Sequence, residues 1–483
     1  MYKSLLSVIF ITGVFSLIFA LLMFIPTIVN YYTGYVWQHF FCTCLFVVLF
    51  SLICIFLGRP SNLKQMNVVI VTVIIWIVLS VISAIPFIYD CDLHYIDAFF
   101  ESVSGLTTTG ATILTDLQNQ SPGILIWRAL LNAIGGLGII TSGIFLLSYL
   151  KIYNLHGLYR SESSEQSKKF KYGIVRSSMY IFIIYCMLMA SCTILYWISG
   201  MSGFDAICHA MSTVSTGGFS NYDNSLQHFN NVYIEVIAVI FMLLSSCPFM
   251  VYLKIITKQC FYDEQIVFFA IIVFLFVMIS VINCYFDETM SGYSFLDILR
   301  YSVFSVVSLS TSTGLVNCDY TNWHFFSIFG ILMMLIGGCS GSTNSGIKVY
   351  RIVLLVKALH AYMSNIVYPT QISTVKYNRK CVSEDFICNI GLFFSLYIFL
   401  LFIGSAIVSS SGVDFITAFS AVSGTFSNVG PGMGHVIGPS ANYYNLLPSV
   451  KILLSFFMLM GRLEIIPFFS CMYLMANVLL KNR

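Results

Sequence analysis

Charge is what this chain has least of: Asp, Glu, Lys and Arg make up 9% of its 483 residues, against 58% apolar residues. So little charge, with a mean hydropathy of +0.89, excludes a soluble globular domain and places the chain in a bilayer. Spacings for metal or redox chemistry are lacking too. The 15 cysteines stand singly, only Cys42 and Cys44 are close-set, and no Cys-x-x-Cys or His/Cys pairing is present. They read as small hydrophobes, so neither disulfides nor zinc is expected. No phosphate-binding loop appears: the glycine-rich run from Gly337 to Gly346 lacks the Gly-Lys-Ser/Thr ending and interrupts an apolar helix instead of following a strand. An enzyme, a cofactor and energy coupling by this chain itself are therefore not expected. A receptor or scaffold has no large extramembrane module to support it.

Long apolar runs are what the chain does have. A spanning helix needs about 20 such residues, and ten stretches qualify, near 4–29, 37–57, 68–89, 123–150, 174–199, 230–253, 265–286, 324–358 (interrupted), 386–410 and 447–480. The first is too long for a signal-peptide core and has no clear cleavage site, so it reads as a retained anchor. With the N-terminus inside, 19 of the 23 Lys and Arg residues fall on the cytoplasmic side, notably Lys151 to Arg176 and Lys348 to Lys380. That bias places both termini in the cytoplasm. The basic residues set topology and do not gather on a nucleic-acid-binding face.

The acids are distributed the other way. Asp97, Asp205, Asp297 and Asp414 fall outside, with Asp116 and Asp223, where they either cap short helices or raise cation concentration at a mouth. Each begins a recurring pattern of an apolar stretch, a Ser/Thr cluster and a glycine. The pattern ends at Thr108-Thr109-Gly110, Ser215-Thr216-Gly217, Ser312-Thr313-Gly314 and Asn428-Val429-Gly430, with glycines 107, 97 and 116 residues apart. A repeat of that period points to one structural unit used four times.

The expected fold is an all-α polytopic membrane protein: an N-terminal helix hairpin (1–60) followed by four helix–pore-loop–helix repeats at 61–155, 156–260, 261–365 and 366–483. Segments such as Ile96 to Leu106 and Phe204 to Val214 are too short to span, and non-helical backbone at membrane depth must line a cavity. Backbone carbonyls from four such loops can replace the hydration shell of a potassium ion, with glycine letting the backbone approach it. The interrupted helix carries Gly337, Gly338, Gly341 and Gly346 in a polar break that reads either as a kink or as a segment able to cross the pore. Arg462 lies near the middle of the last stretch, where a cation costs about 2.5–3.5 kcal/mol. Glu464, two positions on, points to another side of the helix, which leaves an acid on another helix as one partner. Arg128 and Lys451, nearer the outer ends, read as snorkelling cations.

Taken together, Thr107 to Thr112, His209 to Phe219, Gly337 to Lys348, Asn428 to Gly432 and Gly461 to Ile465 resemble the membrane subunit of bacterial Trk potassium uptake systems, in the Trk/Ktr/HKT superfamily. The resemblance covers essentially the whole chain, and the N-terminal hairpin is similar to the TrkH/TrkG branch. It implies one pore per protomer of a homodimer in the inner membrane and a cytosolic ring of TrkA-type nucleotide-binding regulators. It also implies an intramembrane gate at Gly337 to Gly346, with Arg462 as a positive barrier under the filter. Gly110 favours potassium, since a serine there accompanies sodium transport in the superfamily. Two departures stand out: Asn344-Ser345 where a glycine pair is common, and Val429 where leucine is usual. The competing reading is a secondary, sodium- or proton-coupled transporter. That architecture expects inverted halves around one midplane pocket, whereas these repeats share one orientation.

Overall fold

The computed structural model describes residues 2–59, 65–149, 174–258, 262–290, 292–321, 323, 325–370, 374–434, 436–439 and 441–481. The basic run from Lys151 to Lys171 lies outside them. Among the described residues the fold is all-α apart from a two-residue strand pair, Lys376–Tyr377 with Lys380–Cys381. Among the described residues, six helices are long and apolar enough to cross a membrane: Leu6–Thr33, Gln38–Leu57, Ile70–Asp90, Ser178–Ile198, Glu264–Phe286 and Glu384–Ser409. Many of their large apolar side chains, among them Ile28, Phe56, Phe274 and Phe399, are exposed. A surface of that kind is stable against lipid and not against water.

Helices Tyr2–Leu22 and Gln38–Leu57 form the N-terminal hairpin, which packs on Gln65–Asp90. Polar contacts help fasten it to the remainder: buried Asn30 accepts at Oδ1 from the Gly123 amide (2.7 Å), and His39 Nδ1 lies 2.6 Å from Asp90 Oδ1. Four short helices then alternate with the long ones: Tyr95–Leu106, Gly203–Val214, Phe295–Ser310 and Phe415–Phe426, of 12, 12, 16 and 12 residues. At 1.5 Å per residue a 12-residue helix covers about 18 Å, well short of a bilayer core. Their faces are buried by the surrounding long helices, with Ala98, Phe100, Val103, Ala210, Val306, Val307 and Val422 inside.

Capping explains where three of these short helices begin. Ser202 and Ser294 accept from the Asp205 and Asp297 amides and donate to the same residues' carboxylates, both at 2.7 Å for the latter bond. Asp205 and Asp297 therefore lie one turn inside their helices and are not the caps. Asp414 is itself a cap, accepting at 3.0 Å from the Thr417 amide. Hydrogen bonding from Thr417 holds its carboxyl below the usual carboxylate range.

Two expected spans are broken. The stretch near 230–253 divides into Val232–Ser245 and Phe249–Ile256 with an 85° bend, and the last stretch divides into Pro448–Leu463 and Ile465–Tyr473 with a 108° bend. Pro248 cannot continue the preceding helix, and Glu464 takes a positive φ of 65° that ends the helix. The interrupted stretch is a break as expected, with helices Phe326–Ile336 and Val349–Val367 on either side of an irregular segment.

Candidate functional site: four loops and a crossing segment

Each short helix ends in a loop of one geometry. Thr108, Thr216, Ser312 and Asn428 all have φ between 50° and 53°, and the residue two further on in each loop is a glycine with positive φ: Gly110 (80°), Gly218 (75°), Gly314 (76°) and Gly430 (94°). The intervening amides of Thr109, Gly217, Thr313 and Val429 donate to carbonyls five residues back, at Ser104, Ser212, Ser308 and Gly424, over 2.8–3.0 Å. The register of the second loop thus differs from the sequence expectation. Gly218, not Gly217, is equivalent to Gly110, and the shared signature begins at Thr107, Ser215, Thr311 and Ser427. Three consecutive residues, Thr216-Gly217-Gly218, allowed either glycine to be aligned. The geometry of the chain leaving the helix decides between them.

The loops close on one another in a ring. A Cβ built on Gly110 falls 2.6 Å from the Gly217 carbonyl oxygen, one on Gly218 would overlap the Thr313 carbonyl, one on Gly314 the Val429 carbonyl, and one on Gly430 the Thr109 carbonyl. Only glycine permits backbone to approach backbone this closely, and positive φ disfavours any side chain there as well. Asn428 adds a side-chain tie, donating from Nδ2 to Thr109 Oγ1 at 2.9 Å. The four glycines Gly110, Gly218, Gly314 and Gly430 line one cavity of about 290 Å³, shared with Asp116 and Asp223. Four helix C-termini also converge on this ring, and their partial negative charge favours a cation there.

Two buried cations that read as snorkelling are in fact paired. Arg128 is 1% exposed and donates to Glu101 Oε1 (2.9 Å), the Ser220 carbonyl (2.7 Å) and Thr112 Oγ1 (3.2 Å). It thereby ties the strands leaving the first and second loops. Lys451 Nζ lies 2.7 Å from Asp97 Oδ1, joining the last repeat to the first. Hydropathy alone places such residues by depth. It carries no signal for a partner 354 positions away in sequence.

Beneath the ring runs the segment from Gly337 to Lys348. Gly337, Gly341 and Gly346 have positive φ (66°, 79° and 85°), and a Cβ on Gly338 would overlap the Asn344 amide. Arg462 lies at the end of its helix and not mid-helix, and among the described residues no acid pairs with it. Its Nη1 donates to the Thr343 carbonyl (2.8 Å) and Ser345 Oγ (3.0 Å), and its Nη2 donates to the Gly135 carbonyl (3.0 Å). Glu464 instead takes Lys348 and Arg351, at 2.9 and 2.8 Å. Among the described residues no group of three or more His, Cys, Asp or Glu side chains is placed to hold a metal ion.

Residues 37–475 match the TrkH family of cation transport proteins. The chain belongs to that family. The family is one of transporters, not enzymes, and its members span the membrane several times. The Trk system potassium uptake protein TrkH of Escherichia coli strain K12 is 33% identical over 416 residues, covering 84% of this chain and 85% of the relative. TrkH of Vibrio parahaemolyticus is 32% identical over 474 residues, covering 95% and 96%. The crystal structure of the potassium transporter TrkH from Vibrio parahaemolyticus superposes with a TM-score of 0.87 at 28% identity, covering 97% of this chain and 98% of that one.

Proposed function

We propose that this chain conducts potassium ions through a gated, channel-like pore into the bacterial cytoplasm across the inner membrane. The observation that carries the reading is the cyclic closure of four like loops, whose glycines line one cavity. Carbonyls of Thr108, Thr109, Thr216, Gly217, Ser312, Thr313, Asn428 and Val429, with the four glycines, supply the filter. The Gly337 to Gly346 segment, held by Arg462, closes the path below. Transport is passive: each 100 mV of membrane potential is worth about 2.3 kcal/mol per charge, roughly a fiftyfold concentration ratio at 1.4 kcal/mol per decade.

The working assembly is a homodimer on a ring of TrkA-type regulators docked at the basic cytoplasmic face. Both relatives reported above are named as Trk system potassium uptake proteins, which supports ion and partner alike. Flux of the purified chain in liposomes, potassium against sodium, tests the reading. A chain that carries both ions equally, or neither, overturns it. Affinity capture of a co-expressed TrkA-type protein tests the partner.

A further inference from the structure

The crossing segment touches the ring unevenly. Thr216 Oγ1 donates to Thr343 Oγ1 at 3.1 Å, and the Ser345 amide donates to Ser312 Oγ at 3.1 Å. Thr216 and Ser312 are the left-handed residues of the second and third loops, with φ 53° and 50°. Among the described residues, the equivalent residues of the other two loops have no such contact. Thr108 Oγ1 is buried without a hydrogen-bond partner, and Asn428 bonds through Nδ2 to Thr109 Oγ1 and the Met458 carbonyl while its Oδ1 has none. Two of four strained positions are thus braced from below, and both braces come from the residues that Arg462 grips, Thr343 and Ser345.

We propose that Thr343 and Ser345 are positioning residues for ion discrimination, so that the crossing segment sets the geometry of the second and third loops as well as blocking the path. The inference rests on the reading that the ring is a cation filter. A non-glycine residue in the left-handed region is held there by its surroundings. Thr216 and Ser312 lose a side-chain partner whenever the segment moves away. Relaxed loops then discriminate less sharply by carbonyl spacing and number. This differs from a plug that lies under an independent filter: here selectivity follows the position of the segment.

The experiment uses the full chain in liposomes, with potassium and sodium permeabilities measured for Thr343→Val, Thr216→Val and the double variant. Valine keeps the shape of threonine and removes the hydroxyl. Each single change is expected to lower the potassium-to-sodium ratio about fivefold, the worth of one neutral hydrogen bond near 1 kcal/mol. The double variant should fall by much less than the two singles combined, because the Thr216–Thr343 contact is lost in each, while the bonds of Thr216 to the Ser215 carbonyl and of Thr343 to the Ser245 carbonyl are lost in one single each. Thr343→Ser, which retains the hydroxyl, should restore the ratio. If Thr343→Val fails to insert, Ser312→Ala reads the other brace with the same expected loss. An unchanged ratio in the singles, or losses that add in the double variant, overturns the brace while leaving the filter reading intact. A wild-type chain that does not discriminate overturns the filter reading, and the brace with it.

Discussion

Lys348 and Glu464, 116 positions apart, meet at 2.9 Å, and both hold a positive φ, of 73° and 65°. Lys348 ends the crossing segment and Glu464 is the break in the last helix. One bend therefore carries two grips on that segment: Arg462 above it, on Thr343 and Ser345, and Glu464 below, on Lys348 and Arg351. The same break turns the helix by 108° between the two side chains.

Replacing Glu464 by Gln should weaken this lower grip. Breaking a fully buried ion pair costs about 3–5 kcal/mol. Glu464 is one-third exposed, so screening brings the expectation to about 2 kcal/mol. Thermal unfolding in detergent should show a lowered midpoint, and an unchanged midpoint would mean that the pair adds nothing to stability.

The register of the second loop is open to a direct comparison. Gly218→Ala puts a methyl group into the Thr313 carbonyl at a positive φ, whereas Gly217→Ala meets the Asn132 amide at 2.5 Å, a side chain able to turn aside. Gly218→Ala should abolish selective flux, and Gly217→Ala should reduce it by less. The reverse order, read as permeability ratios in liposomes, would restore the alignment on Gly217.

Arg462→Ala removes three donated hydrogen bonds and frees the crossing segment. Basal potassium flux without the regulator should rise, and the potassium-to-sodium ratio should fall with it if the braces act as proposed. Arg462→Lys should behave in between, because an ammonium cannot fork to two elements as a guanidinium does. Low flux in both variants, together with lowered thermal stability, would falsify the gate.

Cys381 is exposed, at the end of the strand pair on the side assigned to the cytoplasm. In a chain whose other cysteines are replaced, an impermeant thiol reagent outside intact cells should leave it unlabelled. Permeabilised cells should label it readily. Labelling from outside would invert the proposed topology.

Much of this arrangement is written locally and is legible without coordinates. The spans Gln38–Leu57, Glu264–Phe286 and Glu384–Ser409 follow from hydropathy within a residue or two, and the four loops follow from hydroxyl clusters ending in glycine. What escaped was set by tertiary contact. A window average does not register the turn at Pro248 or Glu464, since the flanking segments are apolar enough to carry the average through Pro248 and through the Arg462 and Glu464 charges. Arg128 and Lys451 look alike by depth, yet tertiary packing brings each its carboxylate partner: Glu101 from the short helix of the same repeat for Arg128, and Asp97 from the first repeat for Lys451. Asn344 and Ser345 read as departures in a glycine-rich break. In the structure Asn344 donates to Ser246 Oγ at 2.9 Å and Ser345 accepts from Arg462, so the side chains absent from a glycine pair are the ones that fasten this segment.

A ring formed by four identical subunits has to repeat every contact four times. Here one polypeptide supplies all four quarters, so each quarter is free to differ: hydroxyls at 108, 216 and 312 and an amide at 428. Two quarters lean on the crossing segment, and the opposite two are fastened by Asn428 to each other. Such a ring has a fixed side and a yielding side. On the proposed filter reading, motion imposed from the cytoplasm would be transmitted to half of its circumference, while the other half would hold its shape as a reference edge for the ion.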